Sequence, residues 1–517
     1  MGNGAKRMLK PASLFTDGAV LCRRKEIRVF GEAADGNEVC VRLTAADGRL
    51  LAEGCALAAG GRFEACLAPQ EAQDGCTLEI RAGGEHATAR DIAIGEVFLA
   101  GGQSNMELAL ANADGGPERI REHRDPLLRF FNVPKMARVC PEQQEAVDAA
   151  RWEAVSPGRG GENSAVAYFF ACRLRAAEPE LPVGMIDCYW GGTSITCWLE
   201  ESVLETSEEG RRYLKEYAEK TGGITLETYL KEEKIFFETL DAWNRQVDRF
   251  KQSHPGADWN AVTEACGPCP WNPPAGPGSP YRPAGLAEPM VHAAAPATLT
   301  GILWYQGEED ADKTDRYDEL MILLIRRWRE LFRDPELPFL FVQLPMWVDF
   351  GKEDTFRWPA LRLQQAAVRD AVPGTGMVCL LDQGEYGNIH PTNKKPVGDR
   401  LYELAAEMLY GGGEISPRAT GVRMEGDTAL VALSAPVETR DGQAPRLLEI
   451  AGEDGAFRPA EGWPEDGCLK IRNPEIRRPV SVRYAWTDYS DQVNLFGKNG
   501  LPLEPFRLET KEKRRDG

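Results

Sequence analysis

Gly101-Gly-Gln-Ser-Asn-Met106 sets a serine behind two glycines, where the backbone can turn sharply into a helix and leave both a hydroxyl and an unpaired amide exposed. Ser104 there is either a nucleophile or a helix cap. The segment is not the Gly-x-Ser-x-Gly elbow, because Met106 stands where the second glycine belongs. Trp190-Gly-Gly-Thr-Ser194 is another tight turn with amides that can be aimed freely; by itself it reads as a plain glycine turn. Gln306-Gly-Glu-Glu-Asp310 offers a side-chain amide for a developing oxyanion, or else a polar loop whose acids suit the positive end of a helix. Asp382-Gln-Gly-Glu-Tyr-Gly-Asn-Ile-His-Pro391 contains His390, one of five histidines in the chain. A histidine before proline is by itself most simply structural. Together, though, a serine, paired glycine amides, a glutamine amide and a histidine supply every part of an acyl-transfer site.

Each segment must be held by an element, and each follows a short apolar run. The strands expected are Gly95-Glu-Val-Phe-Leu-Ala100, Val183-Gly-Met-Ile-Asp-Cys188, Gly301-Ile-Leu-Trp-Tyr305, Phe339-Leu-Phe-Val-Gln343 and Met377-Val-Cys-Leu-Leu381. They lack strict alternation and are interspersed with helical stretches such as Ala165 to Leu174 and Tyr317 to Phe332. That pattern predicts an α/β fold with a parallel five-stranded sheet covered on both faces. Ligands of such sheets bind at the carboxyl ends of the strands, where the four segments lie. Before this region, residues 19–94 alternate apolar and polar positions between turn pairs such as Asp35-Gly36 and Asp74-Gly75. They predict an antiparallel β-sandwich of about seven strands. Residues 200–290 read as an insertion, a lid or specificity loop. It would hold a long helix gathering Leu226, Tyr229, Leu230, Phe237, Leu240, Trp243, Val247 and Phe250 on one face, then a Pro/Gly-rich stretch from Pro255 to Pro283. Strand character returns from 413. The domains expected are therefore 1–93, 94–412 and a small C-terminal β-rich 413–517, ending in a frayed tail from Lys511.

Composition narrows the function. The 517 residues carry 61 Lys and Arg against 80 Asp and Glu, a formal charge of -19 that repels phosphate backbones and anionic membrane faces, so neither nucleic acid nor membrane is an expected partner. No apolar run is long enough to span a bilayer. The first residues lack the apolar stretch of a secretory leader, which predicts a cytoplasmic protein. The 13 cysteines are scattered, and most are expected to be reduced. Cys266-Gly-Pro-Cys269 has dithiol spacing, but the prolines after it leave no room for the helix that such a motif opens. No second ligand pair completes a zinc site, and no Gly-x-x-x-x-Gly-Lys-Ser/Thr loop is present. No metal or cofactor is expected.

Gly102-Gln-Ser-Asn-Met106, Trp190-Gly-Gly-Thr193, Trp304-Tyr-Gln-Gly-Glu308 and Asn388-Ile-His-Pro391 with Asn393-Lys394 and Val397-Gly398 resemble, in order, the motifs of sialate O-acetylesterases in the SGNH hydrolase superfamily. Val342-Gln-Leu-Pro345 and Ser164-Ala-Val-Ala-Tyr-Phe-Phe170 fit the same family. The resemblance implies a flavodoxin-like three-layer sandwich and a serine carbohydrate O-acetylesterase acting without a metal on a small O-acetylated sugar. Acetylated xylan, another neutral acetyl sugar, or an impaired carbohydrate-binding protein are the alternatives. It also implies Ser104 as nucleophile, His390 as base, and an oxyanion hole from the amides of Ser104 and Gly192 with the Gln306 side chain. One departure stands out. Relatives often carry an acid two or three residues before the histidine, and here those positions are Asn388 and Gly387. The group orienting His390 is then Glu308 in preference, with Asn388, a backbone carbonyl, or Asp382 or Glu385 folding back as the alternatives. A sialic acid would further need an Arg or Lys for its carboxylate, and Arg362 is among the arginines available.

Overall fold

In the computed structural model, which describes residues 9–138 and 140–510, one strand ties the first two regions together. This strand, β1 (Glu85–Gly102), begins with alternating exposed and covered residues and becomes buried on both faces from Ile92 onward. Its first half pairs with Gln73–Ala82 at the edge of the N-terminal β-region. Its second half is the centre of the main sheet. The boundary expected at 93/94 therefore falls inside one strand, and a single hydrophobic core runs from Val39, Val41 and Leu43 to Phe98, Leu303 and Phe341. In the N-terminal region a three-stranded sheet (Lys10–Pro11, Ile27–Glu32, Arg62–Leu67) accompanies the strands Glu38–Thr44, Leu50–Leu57 and Gln73–Ala82.

The main sheet also contains β2 (Asp125–Asn132), β3 (Trp152–Val155), β4 (Val183–Tyr189), β5 (Gly301–Tyr305), β6 (Phe339–Val342) and β7 (Thr375–Val378), in the order β3-β2-β4-β1-β5-β6-β7. All neighbours are parallel except β3, which runs antiparallel to β2. The sheet thus has six parallel strands rather than five. β2 escapes a reading by hydropathy because Arg129 interrupts it. That arginine is 4% exposed and donates to the carbonyl of Gly18 at 2.9 Å and to the Asp91 carboxylate at 3.1 Å.

The helix Ala165–Ala177 is capped by Ser164, whose Oγ accepts from the Ala167 amide at 3.1 Å. Against it packs the helix Lys395–Ala405, close enough that a Cβ on Gly398 would lie 2.6 Å from the Phe169 Cβ and the Phe170 nitrogen. The insertion holds helices Glu208–Thr221, Leu226–Ser253 and Trp259–Cys266. The long one buries Tyr229, Phe236 and Val247, while Leu226, Leu230 and Phe237 stay exposed. Its apolar face is thus only partly covered, and Phe236 rather than Phe237 is buried. The third helix ends at Cys266, the reverse of a dithiol motif, and both cysteines are free.

Cys40 and Cys55, opposite each other on adjacent antiparallel strands, form a disulfide, and eleven other cysteines are free. The C-terminal region contains two four-stranded antiparallel sheets over a second core, joined by Met346, Cys379 and Leu381 from the main domain. The tail from Lys511 lies outside the described residues, as does most of the stretch read for a leader. Among the described residues no helix is long and apolar enough to cross a membrane.

Candidate active site

Ser104 opens the short helix Ser104–Glu107 at the carboxyl end of β1, and the turn into it depends on Gly102. Gly102 sits at φ +133°, and a Cβ there would lie 2.1 Å from the Tyr305 carbonyl oxygen, so only glycine lets β1 and β5 run this close at their ends. His390 comes from the loop after β7. Its Nε2 lies 2.8 Å from Ser104 Oγ, although 286 residues separate the two in the chain.

The imidazole keeps an exposed edge, yet the protein packed around it and the nearby Lys394 ammonium both disfavour its cation. The pKa is held down at about 4. The ring is therefore neutral at physiological pH, and Nε2 can take a proton.

No hydrogen bond joins the His390 ring to Glu308, Asn388, Asp382 or Glu385 among the described residues. Asn388 accepts from the His390 backbone amide at 3.0 Å and donates to Glu385 at 2.7 Å, so both serve the loop rather than the ring. Asp382 forms a two-pronged pair with Arg400, each bond 2.7 Å. Glu308 accepts from Asn105 Nδ2 at 2.6 Å; its other oxygen is buried without a partner, and burial raises its pKa. Among the described residues nothing accepts a hydrogen bond from His390 Nδ1.

The same Asn105 joins Glu308 to Lys394. Lys394 Nζ donates to Asn105 Oδ1 at 2.5 Å, while Asn105 Nδ2 also reaches the Ile389 carbonyl at 3.0 Å. Burial pushes the Lys394 pKa down to about 7, with Glu308 pulling the other way. This buried chain ties the residue after Ser104 to both ends of the histidine segment. Lys394 stands in the Asn393-Lys394 motif, but its burial at 1% exposure could not be inferred from a surface-type residue in a polar loop.

Gln306 also departs from its expected role. Its Nε2 donates to the Thr193 carbonyl at 3.1 Å and to Asp310 at 2.6 Å, which uses both of its hydrogens. Its Oε1 accepts from Tyr317 at 2.9 Å. Gln306 is thus a brace. The hub is Asp310, whose carboxylate accepts from Ser194 Oγ at 2.7 Å, the Ile195 amide at 2.8 Å, Tyr213 Oη at 2.8 Å and Gln306. Burial pushes its pKa up, and these donors pull it back. Asp310 therefore locks the glycine turn, the loop after β5 and the insertion helix Glu208–Thr221 into one unit.

Within that turn Gly191 donates its amide to Glu107, and a Cβ on it would lie 3.2 Å from Ser104 Cβ. Gly192, at φ +72°, engages its amide in no hydrogen bond among the described residues. Ser104, at the first position of its helix, likewise has no intrahelical acceptor for its amide. The amides of Ser104 and Gly192 are thus both left unengaged among the described residues. Lys135 pairs with Glu107 and lies over the Trp190 ring at 5.5 Å. Arg362 is fully buried and donates to the carbonyls of Ala485 and Thr487 at the C-terminal seam, so it is not free to hold a substrate carboxylate.

Residues 279–396 match the family model described as a carbohydrate esterase, sialic acid-specific acetylesterase. That span includes His390 and Gln306. The chain is similar to sialate O-acetylesterase of Mus musculus, 24% identical over 80% of this chain and 77% of that protein. It is also similar to the Homo sapiens enzyme of that name, 26% identical over 80% of this chain and 75% of that one. Among solved structures, a carbohydrate acetylesterase from Xanthomonas citri superposes with a TM-score of 0.75 at 29% identity, covering 97% of this chain and 99% of its own.

Proposed function

We propose that the chain is a carbohydrate esterase of the sialate O-acetylesterase type, in which Ser104 and His390 act as a two-residue catalytic pair removing acetyl groups from sugar hydroxyls. The observation that carries this reading is the 2.8 Å contact between Ser104 Oγ and His390 Nε2. Ser104 Oγ attacks the acetyl carbonyl while His390 Nε2 takes its proton. The tetrahedral oxyanion is held by the amides of Ser104 and Gly192, at the start of a helix and in a glycine turn. Collapse breaks the bond to the sugar oxygen, which leaves with the proton from His390, and acetyl-Ser104 remains. Water then gives its proton to His390 and attacks the acyl carbon. The second collapse returns that proton to Ser104 and frees acetate.

The strands β4-β1-β5-β6-β7, with a serine after the first in the chain and a histidine after the last, support assignment to the SGNH hydrolase superfamily, with β2 and β3 as additions. O-acetyl sialic acid is the substrate that the relatives' names suggest.

The test is hydrolysis of an aryl acetate by Ser104→Ala and His390→Ala, followed by acetate release from O-acetyl sialic acid and acetylated xylo-oligosaccharide. Each variant should lose about 10³-fold or more in kcat. Near wild-type turnover in either one removes that residue from the mechanism.

A further inference from the structure

We propose that Trp271, from the Pro/Gly-rich part of the insertion, is the platform on which the pyranose ring of the substrate stacks. This rests on the carbohydrate esterase reading above and names the residue that receives the sugar. Gly191 and Gly192 are consecutive, and they face two different things. A Cβ on Gly191 would meet Ser104 Cβ at 3.2 Å, whereas one on Gly192 would meet Trp271 Cζ2 at 2.4 Å, with Cε2 and Cη2 at 3.2 and 3.3 Å. The indole thus lies in contact with the glycine whose amide is assigned above to the oxyanion, and a single Cα step of about 3.8 Å separates that glycine from the one touching the serine. In acetyl transfer the leaving sugar oxygen is bonded to the same carbon that Ser104 attacks, so the sugar ring must sit beside this turn.

Trp271 is suited to receive it. It remains 43% exposed, while its edges are fixed by Phe236 and Tyr281, each at 5.7 Å and near-perpendicular. A rigid indole with open apolar surface gives large contact area at low entropic cost, and the C–H faces of a pyranose are the apolar part of a sugar. The insertion reaches the opposite wall as well. A Cβ on Gly387, in the histidine loop, would lie 3.3 Å from Asn260 Oδ1. Asn260 belongs to the helix Trp259–Cys266, so one segment of chain touches both sides of the cleft. The Gly192 contact also explains why a side chain is excluded there, beyond its positive φ.

The experiment compares kcat/KM on an acetylated sugar, O-acetyl sialic acid or acetylated xylo-oligosaccharide, with kcat/KM on triacetin, an acetyl ester without a ring. In Trp271→Leu the ratio of sugar to triacetin should fall at least tenfold, mainly through KM, and Trp271→Phe should restore it to within threefold. An equal fall on both esters would mean that Trp271 only braces Gly192, which overturns the proposal, as does an unchanged ratio. If the wild-type protein hydrolyses triacetin in a Ser104-dependent way but neither sugar ester, the carbohydrate reading itself fails and the platform with it.

Discussion

On the serine side of the cleft, Asp310 gathers donors from the glycine turn, the loop after β5 and an insertion helix, and Gln103 Oε1 accepts from the amides of Gly307 and Glu309. On the histidine side, the loop is held by Asn388 and Glu385 at its own backbone and by Asn105 through Ile389 and Lys394, while Nδ1 of the imidazole itself is held by nothing among the described residues. The wall that must stabilise charge is built to be rigid, as preorganised donors require. The base is positioned through its main chain and kept neutral by its surroundings. Damage to the first wall should cost stability and activity together; damage to the second should cost activity alone.

The largest effect on stability expected from this contrast is at Asp310. Asp310→Ala strands several buried donors, and Asp310→Asn mismatches at least one; each donor left unsatisfied costs about 1–3 kcal/mol. Urea unfolding should show both losses, larger for alanine, with kcat falling in parallel. Full stability in Asp310→Asn would contradict the hub.

A smaller effect is expected at Glu308. An acid that orients a catalytic histidine is worth about 10⁴-fold in kcat, whereas Glu308→Gln here should cost less than about tenfold, because glutamine keeps an oxygen that accepts from Asn105 and the imidazole loses no partner. The pH profile sharpens the same point. With its pKa depressed, His390 stays in the active neutral form well below the ordinary histidine range, and kcat/KM is lost only as pH falls through about 4. A limb near 6.5, together with a loss of 10³-fold or more in Glu308→Gln, would show that Glu308 reaches the ring.

Ser104 and His390 were legible in the sequence because glycines before a lone serine and a rare histidine each follow a buried apolar strand. Residue types that act through burial were not. Asp310 looks like the third acid of a helix start, and nothing local reveals that a tyrosine 97 residues earlier donates to it. Gln306 has the right chemistry for an oxyanion donor, but its hydrogens are already committed. Trp271 lies in a proline-rich stretch with no periodicity, so its contact with Gly192 is purely tertiary. The Cys40–Cys55 bond was hidden likewise, since strand register and not spacing brings the two sulfurs together.

If Ser104 carries the acyl group, acid quench of the enzyme during turnover of an acetyl ester traps it there. Peptide mass spectrometry should find an acetyl adduct on Ser104, absent in Ser104→Ala. An adduct on any other residue, with Ser104 unmodified and turnover intact in its alanine variant, would contradict the account.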